Sequence, residues 1–263
     1  VHSPFVLSEQ LRRLLARRGE LTRLRIDGRQ RLLQALQNRA RFLDQQRPAA
    51  NYGTVQGRAL TLLNSSGFIP AFDTSTESDR VKDRYGRTPM GGYLLMARRL
   101  VEAGVPVIQI SDIPVGGEQH WDLHYANIFK RLKGNLLPHL DQSLSALLGD
   151  LDERGLLDST LVICGGEFGR SPWIDHLSNP PQGGRQHWPH CYSMFLAGGG
   201  IRRGHIFGRS DELAAYPASK KIGPWDMGAT ILHLMGIDPA GTFSDRQGDT
   251  RRVCRGHVVQ EWI

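Results

Sequence analysis

The sequence contains no run of about 18 apolar residues, so nothing in it has the pattern of a membrane-spanning helix. Only three cysteines occur, Cys164, Cys191 and Cys254, and they show no metal-binding spacing. Cys164 and Cys191 sit inside apolar runs, which predicts reduced, buried thiols. No internal repeat and no low-complexity linker interrupts the chain. The opening "VHSPFVLSEQLRRLLARRGE" lacks both an initiator Met and the basic-then-apolar layout of a secretory signal, and it predicts a mature or truncated chain. What is present is ordinary for a globular protein: 263 residues at 40% apolar content bury a real core, which excludes whole-chain disorder.

Charge is concentrated rather than spread. Residues 1–50 hold eleven Arg against Glu9, Glu20, Asp27 and Asp44, so this segment carries the whole net charge of +7, and the rest balances 22 basic with 22 acidic groups. The basic residues alternate with Leu7, Leu11, Leu14, Leu15, Leu21 and Leu24 at helical spacing. That pattern predicts solvated helix faces, with a polyanion-binding surface as the rival reading. No nucleic-acid partner is expected.

Two helical patterns fill roughly residues 7–46. A polar segment, Ser75 to Tyr93, reads as a short capped helix plus loop. Beyond it, "YLLMARRLVEAG" predicts an amphipathic helix closed by Gly104, and "VPVIQI" (Val105 to Ile110) a short strand. Helical periodicity returns from about Tyr125 to Arg154, divided by Gly134 and Pro138. "STLVICG" and "CYSMFLAGG" predict further strands, "DMGATILHLMG" a helix capped by Asp226 and stopped at Gly236, and "GHVVQEWI" a last strand. Apolar strands separated by helices predict an α/β protein with a mostly parallel central sheet. The expected organisation is one domain over 1–263, with a helical, Arg-rich part over 1–60 and an α/β core over 90–263.

In open sheets of this kind ligands gather beyond the carboxyl ends of strands. After "VPVIQI" comes "GGEQHWDLHY", after "TLVIC" comes "GGEFGRSP", and "GGRQHWPH" leads into "CYSMFLAGG". Asp122, His124, Glu167 and His187 thereby become candidate ligands of one divalent ion, since a hydrolytic metal takes carboxylate oxygen and neutral imidazole while keeping one position open. Arg170 and Arg185 are candidates for holding a tetrahedral oxyanion through paired hydrogen bonds. His190, beside Trp188, reads either as a substrate contact or as part of a packing cluster.

The segments "YLLMARRLVEAGVPVIQI", "HWDLH", "GGEFGRSP", "GGRQHWPHCYSMFLAGGGIRRGHIFGRSDE" and "WDMGATILHLMGID" resemble the domain of unknown function 1501 family over about residues 60–263. The resemblance implies a branch of the alkaline phosphatase and sulfatase superfamily, a three-layer α/β sandwich around a mostly parallel sheet, here lacking its N-terminal strand. It also implies ester hydrolysis with a divalent ion, zinc or calcium, and an extracytoplasmic, periplasmic or secreted, location. Two departures stand out. Glu167-Phe168 occupies the place of the superfamily's Asp-His metal pair, and Gln186 stands where the family more usually has Asp. No counterpart of the superfamily's Ser, Thr or cysteine-derived nucleophile is identifiable.

The expected function is therefore a metal-dependent hydrolase of sulfate or phosphate esters, with an anionic ester or a sulfated polysaccharide as substrate. The metal would be held by Asp122, His124, Glu167 and His187, and the anion by Arg170, Arg185 and His190. The rival expectation is a degenerate, non-catalytic member that binds carbohydrate or serves in assembly.

Overall fold

The computed structural model describes residues 68–112, 120–124, 128–174 and 183–263. The chain divides between Asn64 and Ser65, and every described residue belongs to the second unit. The helical, Arg-rich part expected over 1–60 lies outside the described residues.

The core is a helical layer. Helix α1 (Phe68–Ala71) leads through a 3-10 turn to α2 (Asp79–Tyr85), whose N-cap is Ser78, with its hydroxyl accepting from the Val81 amide at 3.4 Å. Helix α3 (Pro89–Glu102) begins on Thr88, which accepts from the Gly91 amide at 3.1 Å, and has Pro in its first turn, where no amide is needed. It ends before Gly104, whose φ of +77° suits a left-handed stop. Helix α4 (Ile128–Arg131) runs through a π-turn at Leu132–Leu136 into α5 (Leu137–Glu153), with Gly134 in the π-turn and Pro138 in the first turn of α5. The sequence breaks at Gly134 and Pro138 thus appear as a change of helix type within a continuous path.

Ser143, Ala146, Leu147, Asp150 and Leu151 recur at helical spacing and give α5 one buried face. That face meets Leu94 and Leu95 of α3 and Tyr85 of α2 in a single cluster. Each fully buried Leu contributes about 1.5–3 kcal/mol relative to its exposed state. Into this apolar contact the fold inserts an ionic knot. Arg98, 2% exposed, donates from Nη1 to Glu102 at 2.6 Å, and its Nε and Nη2 lie 3.0 and 2.9 Å from Asp150 and Glu77 at angles too poor for hydrogen bonds. Tyr85 donates its hydroxyl to Asp150 Oδ2 at 3.0 Å, and Arg154 donates to Asp150 Oδ1 at 2.9 Å.

The strands are short and all pair antiparallel. β1 (Val162–Cys164) pairs with β4 (Phe195–Ala197), β2 (Gly169–Arg170) with β3 (His187–Trp188), β5 (Arg209–Ser210) with β6 (Pro217–Ser219), and β7 (Thr242–Ser244) with β8 (Thr250–Arg252). Helix α6 (Pro224–Leu234) lies between β6 and β7 in sequence. The protein is thus mixed helix and short antiparallel strand. The expected three-layer sandwich with a mostly parallel central sheet is not present among the described residues.

The reason is that an apolar run signals burial without naming the partner that buries it. Val105 to Ile110 forms no strand: Val107 is 70% exposed, while Ile110 packs on the helical cluster. β1 finds its neighbour in the returning Phe195–Ala197 instead of in a strand reached by a helical crossover. The expected C-terminal strand is a 3-10 turn at Gln260–Trp262 with Trp262 buried. Asp226 is also not the N-cap of α6. Gly223 occupies that position, and Asp226, three residues on, accepts the Gly223 amide at 2.8 Å. No helix among the described residues is long and apolar enough to cross a membrane.

Candidate metal centre

The segment "HWDLH" alternates apolar and polar groups, and the alternation sorts them. Leu123 is 1% exposed in a small cluster with Ile128 and Leu136, against which Trp121 packs. Asp122 and His124 are left for the other side. The segment is anchored from behind by Asp112, whose Oδ2 lies 2.8 Å from His120 Nε2 and accepts from Trp121 Nε1 at 2.7 Å.

The second wall is the β2–β3 ladder. Arg170 pairs with His187 and Gly169 with Trp188, so Arg170 and His187 share one face and Trp188 takes the other. Both walls meet at Gly184. A Cβ there would sit 2.2 Å from the His124 carbonyl group, a space no side chain can enter. The neighbouring Arg185 amide donates to the Leu123 carbonyl at 3.0 Å and ties the two segments.

Three ligand atoms converge as a result. Asp122 Oδ1 lies 2.8 Å from His124 Nε2 and 2.8 Å from His187 Nε2, and the two imidazole nitrogens are 3.1 Å apart. This is the one group of three or more metal-capable side chains among the described residues. Two imidazoles and a carboxylate suit zinc-type ions better than calcium, which takes oxygen ligands. A tetrahedral ion at about 2.0–2.2 Å from its ligands spaces them by roughly 3.4 Å. The observed triangle is a little tighter, so it fits such an ion after opening by a few tenths of an ångström.

Arg170 reaches the same carboxylate oxygen with Nη1. Burial raises the Asp122 carboxyl, but the His187 hydrogen bond and the Arg170 hydrogen bond and charge outweigh it and push it down to about 2. Asp122 is therefore an ionised ligand at any physiological pH. The Phe168 ring stands 4.2 Å from the His187 ring and forms an apolar wall.

The other expected site residues lie elsewhere or are otherwise engaged. Glu167 is exposed and does not belong to the converging group. Arg185 donates from Nη1 to the Ser171 carbonyl at 2.5 Å and lies over the Phe129 ring. His190 packs its ring 4.8 Å from Trp188 and 5.3 Å from Tyr216, in a cluster that Trp173 joins 5.0 Å from Trp188. Two residues that sequence reasoning did not place in the site touch its frame. Gln186 Oε1 lies 2.8 Å from His124 Nδ1, and Ser171, 1% exposed, accepts the Gln186 amide at 3.1 Å. Gln186 immediately precedes His187 and Ser171 immediately follows Arg170, but nothing in their spacing marks either contact.

The family model described as "Protein of unknown function (DUF1501)" matches residues 2–263. No curated protein and no solved structure matches the chain.

Proposed function

The chain belongs to the DUF1501 family, and from that premise we propose that Asp122, His124 and His187 hold a divalent ion of the zinc type in a hydrolase acting on phosphate or sulfate esters. One observation carries the reading: three ligand atoms brought from separate segments lie 2.8–3.1 Å apart with a guanidinium beside them. Held by Asp122, His124 and His187, such an ion would supply Lewis acidity toward an ester oxygen. The chain's own residues do the rest. Arg170 offers its charge to the same oxyanion from its place beside Asp122, and Phe168 keeps bulk water from one side of His187. The open, polar side of the cluster, with Asp122 and His187 both exposed, is where an ester would enter.

The test is metal content followed by turnover. Protein dialysed against zinc and washed is expected to retain one ion per chain, to lose it in His187→Ala and Asp122→Ala, and to hydrolyse an aryl phosphate or an aryl sulfate. A wild-type protein that retains no zinc would overturn the reading.

A second reading, a carbohydrate-binding module without catalysis, is favoured by a different observation. Trp173 and Tyr216 are exposed at 56% and 48% around the ring of Trp188, a surface suited to stacking against a sugar. Metal retention without turnover, together with binding of an oligosaccharide lost in Trp173→Ala, would select it.

A further inference from the structure

Neutral imidazole carries one N–H, and the partner of one ring nitrogen decides which nitrogen is left to bind a metal. His124 Nδ1 faces Gln186 Oε1 at 2.8 Å, and an amide oxygen can only accept. Nε2 lies 2.8 Å from Asp122 Oδ1 and 3.1 Å from His187 Nε2, so with an ion held by Nε2 the proton sits on Nδ1 and is donated to Gln186 Oε1.

The backbone that carries this side chain is held in place. The Gln186 carbonyl accepts the Ser171 amide at 2.9 Å, the Gln186 amide donates to Ser171 Oγ at 3.1 Å, and that hydroxyl donates to the Trp173 carbonyl at 2.7 Å. Ser171 is 1% exposed, so this clamp is shielded from water. It fixes the backbone of Gln186 one residue before the ligand His187 and across from the ligand His124.

We infer that Gln186 is a positioning residue that sets the His124 tautomer for metal binding and does so without adding charge. The inference rests on the metal-centre reading above. A carboxylate at this position would orient His124 equally well. It would also place a second negative charge against the cluster, where Asp122 is already balanced by Arg170. With a divalent ion bound, the neutral amide leaves the site at +2 and a carboxylate would leave it at +1, so Gln186 matches the site to a doubly charged oxyanion such as a phosphate monoester.

The experiment uses the full chain, zinc and inorganic phosphate. In zinc-loaded wild-type protein, imidazole nitrogen NMR is expected to show zinc on His124 Nε2 and a hydrogen-bonded proton on Nδ1, and Gln186→Ala should lose that hydrogen bond. Zinc affinity should fall about 10–100-fold in Gln186→Ala, the usual loss for a residue that orients a ligand. In Gln186→Glu it should stay within a few-fold of wild type, while phosphate binding to the zinc-loaded protein weakens several-fold. Zinc on His124 Nδ1 in the loaded wild type, zinc affinity unchanged in Gln186→Ala, or phosphate affinity unchanged in Gln186→Glu would each overturn the inference. If wild-type protein takes up no zinc, the metal reading fails and the inference with it, whereas zinc uptake together with any of these three results overturns the inference alone.

Discussion

Arg170 and Asp122, 48 residues apart, are joined by a hydrogen bond from Nη1 to Oδ1, the same oxygen that both imidazole nitrogens approach. A guanidinium and a bound ion would therefore compete for one carboxylate oxygen. Arg170 is at once the partner that neutralises Asp122 and a cation placed for an incoming anion.

Replacing Arg170 by Met separates these roles. Zinc affinity should rise several-fold, because the ion no longer displaces a guanidinium, and phosphate affinity of the zinc-loaded protein should fall about tenfold, in keeping with about 1.5–3 kcal/mol for a hydrogen bond to a charged group, part of which the ion retains. Competition against a zinc-sensitive dye and calorimetry with phosphate measure the two effects. A loss of both affinities together would show that Arg170 holds the site in shape instead.

Gly184 makes the convergence sterically possible, since its missing side chain is what admits the His124 carbonyl. Gly184→Ala should cost about 1–3 kcal/mol of stability, the range for overfilling a packed position, and should abolish zinc retention even at temperatures where the variant remains folded. Urea denaturation and metal analysis on the same preparation check both. Retained zinc in a folded variant would mean that His124 and His187 reach the ion without this close approach.

The helices were legible because their caps and stops are local. Gly104 ends α3, and Ser78 caps α2, as the residue types require. The sheet was not, because Val105 to Ile110 and Val162–Cys164 are alike in composition, and only tertiary packing leaves one without a ladder and pairs the other antiparallel. For the site, residue types pointed to Asp122, His124 and His187, a carboxylate and two imidazoles placed after "VPVIQI" and before "CYSMFLAGG". The part Gln186 plays was hidden because a hydrogen bond across 62 residues has no signature in spacing. Glu167 was singled out by its place after an apolar run, yet Phe168, the next residue, is the one that reaches His187.

Leu151 tests the helical core on its own terms. It is 1% exposed in the cluster shared by α2, α3 and α5. Leu151→Ala should destabilise the fold by about 2–5 kcal/mol, through lost burial and the cavity left behind. Since Leu151 belongs to a different cluster from the one beneath the metal centre, zinc affinity of the folded fraction should be unchanged. Denaturant midpoints and zinc titration at low temperature measure the two quantities separately.

The ionic knot in that core predicts an acid limb of stability. Burial raises the Asp150 carboxyl, but the hydrogen bonds from Arg154 and Tyr85 and the charge of Arg98 outweigh it, so its folded pKa lies below the ordinary value. Burial raises the Glu77 carboxyl too, but the Arg99 hydrogen bond and the charges of Arg98 and Arg99 together outweigh it, so it is lowered in the same sense. A carboxyl with a depressed folded pKa binds protons more readily when unfolded. Its contribution is therefore complete above the unfolded value of about 4 and is lost as pH falls through the folded one. Tyr85 moves the other way: burial and the Asp150 charge hold its phenol well above the usual range, so it remains a donor throughout. Tm followed from pH 6 downward should stay level to about pH 5 and then fall. In Asp150→Asn the fall should be shallower and start from a lower plateau, because Arg98 keeps its charge while losing one of its three carboxylates. An equal slope in both proteins would place the acid sensitivity elsewhere.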